Sequence, residues 1–140
     1  MCELCKTVSE EYRLIKETKY SFCIICQDPL KLGHVMVLPK RHVTQTNMSD
    51  LSPEESHDLI CLLDEIQEVI ENLSEDSAII LKNNGKHITQ AHLHFHIFPS
   101  KGYLRNLVGS FENIPERKCI SREEYVTMRN IIQGNINIIK

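Results

Sequence analysis

The spacing of apolar residues changes several times along this chain, and each change predicts a different element. Two short apolar runs, Tyr12 to Glu17 and Ser21 to Cys26, flank the polar pair Thr18 and Lys19, which is the pattern of a β-hairpin. Gly33 opens a third run, His34-Val35-Met36-Val37-Leu38, stopped by Pro39, which has no N–H to give a ladder. In Ser52-Pro53-Glu54-Glu55 a capping serine precedes a proline at the first helical position and a glutamate at the third. Behind it Leu59, Leu62, Leu63, Ile66, Val69, Ile70 and Leu73 recur at helical spacing, so a long helix follows. Ala78 to Leu81 then reads as a buried strand, Asn83 to Lys86 as a loop, and His92 to Phe98 as a further strand ending at Pro99. Ser121-Arg122-Glu123-Glu124 is a second capping box, and Tyr125, Met128, Ile131 and Ile132 make one face of a helix over about 121–133 before Gly134 closes it. Residues 101–120 read as mostly loop. The pattern as a whole is α+β: an antiparallel sheet of about five strands with one long and one C-terminal helix set on one side.

A chain of 140 residues is enough for one core, and residues 1–140 are expected to form a single domain. The formal net charge of −3 removes the broad positive field that nucleic acids require, so any recognition of phosphate has to be local. No uncharged apolar run approaches the roughly eighteen residues of a membrane span, and the N-terminus carries no apolar targeting stretch. The expected compartment is the cytoplasm. There the six cysteines, at 2, 5, 23, 26, 61 and 119, stay reduced or bind metal, and zinc is the metal to consider.

The most informative stretch is Gln90-Ala91-His92-Leu93-His94-Phe95-His96-Ile97-Phe98-Pro99. On a strand, alternate side chains face opposite ways, so Leu93, Phe95 and Ile97 enter the core while His92, His94 and His96 line the other face. Imidazoles two residues apart are roughly 6.6–6.8 Å apart along the strand, near enough to serve one phosphate together. Three readings present themselves. The histidines are polar filler, or they hold a catalytic metal, or a neutral imidazole attacks phosphorus and becomes covalently nucleotidylated. A hydrolytic metal normally recruits a nearby carboxylate, and residues 78–100 contain no Asp or Glu, which weakens the metal reading. Imidazole suits the third role, since its free base is abundant near neutral pH.

His-x-His-x-His followed by two apolar residues resembles the signature of the histidine-triad family of nucleotide hydrolases and transferases. The likeness extends to Gly33-His34-Val35-Met36-Val37-Leu38-Pro39-Lys40-Arg41-His42 and to Asn83-Asn84-Gly85 with Thr89 ahead of the triad. The resemblance implies that His94 is the nucleophile, that His96 contacts the α-phosphate and leaving group, and that His34 supports them. Asn83 and Thr89 fall where the family places α-phosphate donors. It further implies a homodimer with the two sheets joined edge to edge, and a purine nucleotide substrate. Such a chain releases a nucleoside monophosphate from a phosphoramidate or related conjugate, the alternatives being a dinucleoside polyphosphate hydrolase or a weakly catalytic nucleotide-binding module. One position departs from the family pattern. Eight residues before His34, where an acidic or amide side chain usually holds the ribose, stands Cys26, so either Asp28 makes that contact through a shifted loop or nucleoside binding is weaker or less selective than in relatives.

Two Cys-x-x-Cys pairs formally fit a four-cysteine zinc ribbon. Cys23 and Cys26, however, are three apart on an apolar strand and face opposite sides, so they read as small packed residues. In members of the family that carry an N-terminal Cys-x-x-Cys, two histidines complete a structural zinc site. The resemblance assigns that set here to Cys2, Cys5, His42 and His92. His57, on the long helix, reads as a surface residue.

Overall fold

In a computed structural model, residues 2–114 and 119–139 are described. Contacts group them into two compact units, Met1–Leu104 and Arg105–Lys140. The first is built on a five-stranded antiparallel sheet in the order β1-β2-β3-β5-β4, with β1 at Leu14–Glu17, β2 at Ser21–Ile25, β3 at Val35–Pro39, β4 at Ser77–Leu81 and β5 at Phe95–Ser100. The α+β class and the hairpin β1-β2 are as the sequence predicts.

Helix α2, Pro53–Ser74, starts as its sequence dictates. Ser52 Oγ accepts from Glu55 N at 3.1 Å while the Glu55 carboxylate accepts from Ser52 N at 2.8 Å, so two otherwise unpaired N–H groups are satisfied. Arg41 grips that same carboxylate with Nε and Nη2, each at 2.8 Å, which ties the helix start to the loop after β3 and holds the Glu55 carboxyl down to about 2. Leu59, Leu62, Leu63, Ile66 and Ile70 form the buried stripe of α2, packed with Val35, Val37, Leu93 and Ile97. Val69 and Leu73, which share the helical spacing, are instead largely exposed.

The two faces of the sheet follow from period-two alternation. Cys23, Val35, Val37, Phe95 and Ile97 turn toward α2, whereas Phe22, Ile24, Met36 and Leu38 turn the other way and pack with Leu4. The second face is covered by the N-terminal segment, a short helix α1 at Glu3–Lys6 followed by a 3₁₀ turn at Thr7–Ser9. Helical cover is therefore not confined to one side, as the apolar spacing suggested. Four helical residues carry too few apolar positions to show a period.

Three further expectations are corrected. The strand Ser77–Leu81 is not buried but forms the sheet edge, with Ile80 and Leu81 partly exposed. Residues 101–120 are not mostly loop: α3 spans Leu104–Glu112, where Leu104, Leu107, Val108 and Phe111 recur three and four apart. Residues 115–118 lie outside the described residues. Gly134 does not close the last helix, since α4 runs over Arg122–Ile139 and the glycine keeps a negative φ. A glycine inside a helix costs only about 1 kcal/mol relative to alanine, which the remaining residues can absorb. The predicted start of α4 is present, with Ser121 Oγ accepting from Glu124 N and Glu124 Oε1 accepting from Ser121 N.

Candidate active site and metal centre

The three central strands carry the histidines to one place. His34 stands immediately before β3, and Gly33, at φ +92°, supplies the turn; a Cβ there would be left strained and 3.2 Å from Pro99 Cδ. Met36 is paired with His96 across β3 and β5, so His34, Met36, His94 and His96 share the face opposite α2. They line a cavity of about 410 Å³, together with Cys26, Gln27, Asp28, Thr89 and Gln90. The N-terminal segment supplies Glu3, Leu4, Thr7, Glu10 and Arg13 to its wall.

The triad strand is less regular than alternation alone predicts. His92 makes an isolated bridge with Thr44, and the continuous ladder begins only at Phe95. Between them a side chain stands in for strand pairing. Buried Gln45 accepts from His94 N at 2.9 Å with Oε1, and its Nε2 donates to Asn83 O at 2.7 Å and to His94 O at 3.4 Å. Sequence reasoning missed Gln45, and no local pattern marks it, because the contact spans 49 residues. Replacing Gln45 with leucine is expected to leave the buried His94 N–H without an acceptor, a cost of about 1–3 kcal/mol. Thermal melting should then fall by roughly 5 °C in a chain of this size; an unchanged melting temperature would show that the clamp does not support His94.

Hydrogen bonding fixes the ring tautomers. His94 Nδ1 lies 2.7 Å from the carbonyl of His92, which can only accept, so Nδ1 carries the proton and Nε2 keeps its lone pair. His34 Nδ1 accepts from Leu30 N at 3.0 Å, which puts the His34 proton on Nε2, donating to His96 Nδ1 at 2.9 Å. A neutral His96 must then hold its proton on Nε2. Burial, then the nearby His94 and His34, pushes His96 down to about 4, and burial lowers His34 as well, so both are neutral at physiological pH. The cavity thus presents one free imidazole lone pair beside one imidazole N–H. The His94 and His96 ring centroids are 5.1 Å apart.

Of the predicted substrate-binding residues, Thr89 and Asp28 line the cavity. Asn83 does not; its Nδ2 donates to His87 O at 2.7 Å, and its own carbonyl is taken by Gln45. His57 lies on α2, with Nε2 at 3.6 Å from the exposed Cys61 thiol.

A second constellation stands beside the first. The donor atoms of Cys2, Cys5, His42 and His92 lie within 4.8 Å of one another, with Cys5 Sγ 3.2 Å from His92 Nδ1 and 3.4 Å from His42 Nδ1, and Cys2 Sγ 3.7 Å from His92 Nδ1. Ligands around a tetrahedral zinc are spaced roughly 3.3–3.8 Å, so the donor set fits such an ion. His92 is pre-oriented for it: Nε2 donates to Pro39 O at 2.9 Å, leaving Nδ1 free to face the thiols. Burial, and then the adjoining Cys2 thiol, push the Cys5 thiol up, a pressure that a divalent cation would reverse. Cys23 is buried on the α2 face of the sheet and takes no part, whereas Cys26 lines the cavity.

Comparison with known proteins agrees with this geometry. The chain is 30% identical over 112 residues to adenosine 5'-monophosphoramidase HNT1 of Saccharomyces cerevisiae, a match covering 76% of this chain and 67% of that protein. It is 31% identical over 128 residues to the nitrilase and fragile histidine triad fusion protein NitFhit of Caenorhabditis elegans, covering 82% of this chain but 29% of the relative. To a bis(5'-adenosyl)-triphosphatase of Dictyostelium discoideum it is 35% identical over 89 residues, covering 61% and 58%. The chain thus spans about two thirds of the first of these relatives and less of the other two. Among solved structures, a HIT family protein from Bacillus anthracis superposes with a TM-score of 0.68 at 20% identity, covering 99% of this chain and 97% of that one. The HIT domain family model matches residues 8–103, a span that holds β1 to β5, α2, His34 and all three strand histidines, and the chain belongs to that family.

Proposed function

We propose that this chain is a nucleotide hydrolase or transferase that cleaves at the α-phosphate of a purine nucleoside phosphoramidate or a related nucleotidyl conjugate. The observation that carries the reading is the tautomer of His94, whose Nδ1–H is held by the His92 carbonyl so that Nε2 is the free nucleophile. In the first step Nε2 attacks the α-phosphorus, and the bond from phosphorus to the leaving group breaks. The imidazole then carries positive charge, and the same His92 carbonyl stabilises it. In the second step water attacks phosphorus, the P–N bond to His94 breaks, and the nucleoside monophosphate leaves.

His96 serves as donor. With Nδ1 occupied by the His34 N–H, its remaining N–H is the group available to a phosphate oxygen or to the leaving group as charge builds on phosphorus. His34 is a positioning residue, fixing the His96 tautomer and itself fixed by the backbone N–H of Leu30. Thr89 donates to the α-phosphate and Asp28 reaches the ribose, both from the cavity wall. Asn83 Nδ2 gives one of its two N–H groups to His87 O and keeps the other as a donor toward the α-phosphate.

Cys2, Cys5, His42 and His92 would hold a zinc ion as a closed structural site. Its contribution is to fix the N-terminal segment against the sheet. We read residues 1–140 as one histidine-triad domain working as a homodimer in the cytoplasm, joined through the exposed edge strand β4.

Incubation with an adenosine phosphoramidate is expected to release AMP and the free amine, measured by chromatography. The named activity of the Dictyostelium relative favours a second substrate for the same chemistry, a dinucleoside polyphosphate, which would yield AMP and the remaining nucleotide. A chain that binds AMP yet releases it from neither substrate would be a nucleotide-binding module, and the hydrolase reading would fall.

A further inference from the structure

The cavity contains a second group of metal-type donors, distinct from the four around Cys2 and Cys5. The thiol of Cys26 and one ring nitrogen each of His34 and His96 lie within 4.8 Å of one another, and all three side chains line the cavity. The backbone brings them together. Cys26 follows the last residue of β2, His34 precedes the first of β3, and Cys26 N donates to His34 O at 3.2 Å. His96 reaches the same spot from β5, its neighbour Met36 lying two residues after His34. Three donors on three adjacent strand ends or centres need no segment to fold in order to converge.

We propose that Cys26, His34 and His96 form a three-donor site for a soft divalent ion of the zinc class, with a fourth coordination position open to the cavity. A four-donor set of cysteine and histidine closes around its ion, whereas three donors leave one position for an external ligand. A thiolate with two imidazoles is the ligand chemistry that selects such ions over magnesium or calcium. The fit is close on the histidine side, where His34 Nε2 and His96 Nδ1 are 2.9 Å apart and share one proton. Two nitrogens on a tetrahedral zinc are spaced roughly 3.3 Å, so the ion replaces that proton with a small opening of the pair.

The protons can be followed. Cys26 releases its thiol proton to solvent, and the His34 proton moves from Nε2 to Nδ1. Leu30 N now donates to Nδ1, so that bond is lost and the exposed loop around Leu30 and Leu32 must give way. The cost makes this site weaker than the Cys2, Cys5, His42 and His92 set, whose histidine His92 already has its tautomer fixed for binding. The two sites therefore fill in order. This inference goes beyond nucleotidyl transfer, and its test does not depend on turnover.

The chain carrying one equivalent of zinc, itself colourless, is titrated with cobalt(II) and followed by thiolate-to-cobalt charge-transfer absorption. One further equivalent is expected to bind in the native chain and none in Cys26→Ser. In ring NMR spectra of the native chain, the signals of His34 and His96 should move with this second equivalent. Uptake of no second equivalent would overturn the proposal. So would a second equivalent that survives Cys26→Ser but disappears in Cys61→Ser, since Cys61 and His57 are the pair on the surface of α2. Should Cys26→Ser fail to fold, the native spectra decide, because a second equivalent that leaves both rings unmoved also overturns it.

Discussion

His94→Ala is expected to abolish the covalent intermediate and to lower kcat by about 10³-fold or more, the scale on which nucleophile removal acts when no neighbour can take over. No neighbour can do so here. His96 Nδ1 is occupied by His34, and His92 Nδ1 faces the thiols of Cys2 and Cys5, so each ring has a committed lone pair. The check is intact mass after brief incubation with an adenosine phosphoramidate and acid quench. The native chain should gain the mass of an adenylyl group, and the variant should not. Folding is preserved as a control through the Gln45 clamp, which holds the backbone of residue 94 whatever its side chain. An adduct of equal abundance in the variant would place the nucleophile elsewhere, and the tautomer argument would fail with it.

His34→Ala separates positioning from attack, since it frees His96 Nδ1 without touching His94. The structure makes clear why these two histidines were legible in the sequence to different depths. His94 and His96 stand in a period-two run whose alternate members are plainly core residues, so their shared face follows from the strand alone. His34 sits 62 residues from His96, and nothing local predicts that their rings meet; its role came from family resemblance. The same holds for the metal donors. That Cys2 and Cys5 are three apart can be read locally, but their meeting with His42 and His92 requires the strand order β3-β5, which only the folded sheet supplies.

Misplaced elements have equally specific causes. Residues 78–81 are all apolar, which is the composition of a buried strand, yet Ser77–Leu81 is an edge because it pairs with β5 on one side alone. Helix α3 has Gly102 just before it and Gly109 at a buried position within it, and glycine weakens a helical pattern at both places. Gly134 shows the same limit from the other direction, being read as a stop where it is only a weak interior residue. Glycine marks a real turn at Gly33, where a positive φ would strain any other residue and a Cβ would crowd Pro99.

Stripping a metal held by Cys2, Cys5, His42 and His92 should have the second large effect, on stability and on the cavity together. A four-residue α1 cannot hold itself as a helix in water, so its place on the sheet depends on what ties it down. Leu4 supplies packing against Phe22 and Ile24, and the Cys2, Cys5, His42 and His92 set supplies the link to the loop after β3 and to the triad segment. An ion held at a thousand times its dissociation constant stabilises the folded chain by about 4 kcal/mol. At about 2–4 °C per kcal/mol for a chain of this size, chelation should lower the melting temperature by roughly 10 °C, and Cys5→Ser should reproduce the change without chelator. Because Glu3, Leu4 and Thr7 belong to the cavity wall, loosening the segment should also raise KM for the phosphoramidate more than it lowers kcat, leaving the His94 adduct detectable. Scanning calorimetry with and without EDTA, alongside metal analysis of the isolated protein, gives the answer. A chain that carries no zinc as isolated and melts at the same temperature with chelator would show that packing around Leu4 alone holds the N-terminal segment, and that these four donors have no structural ion.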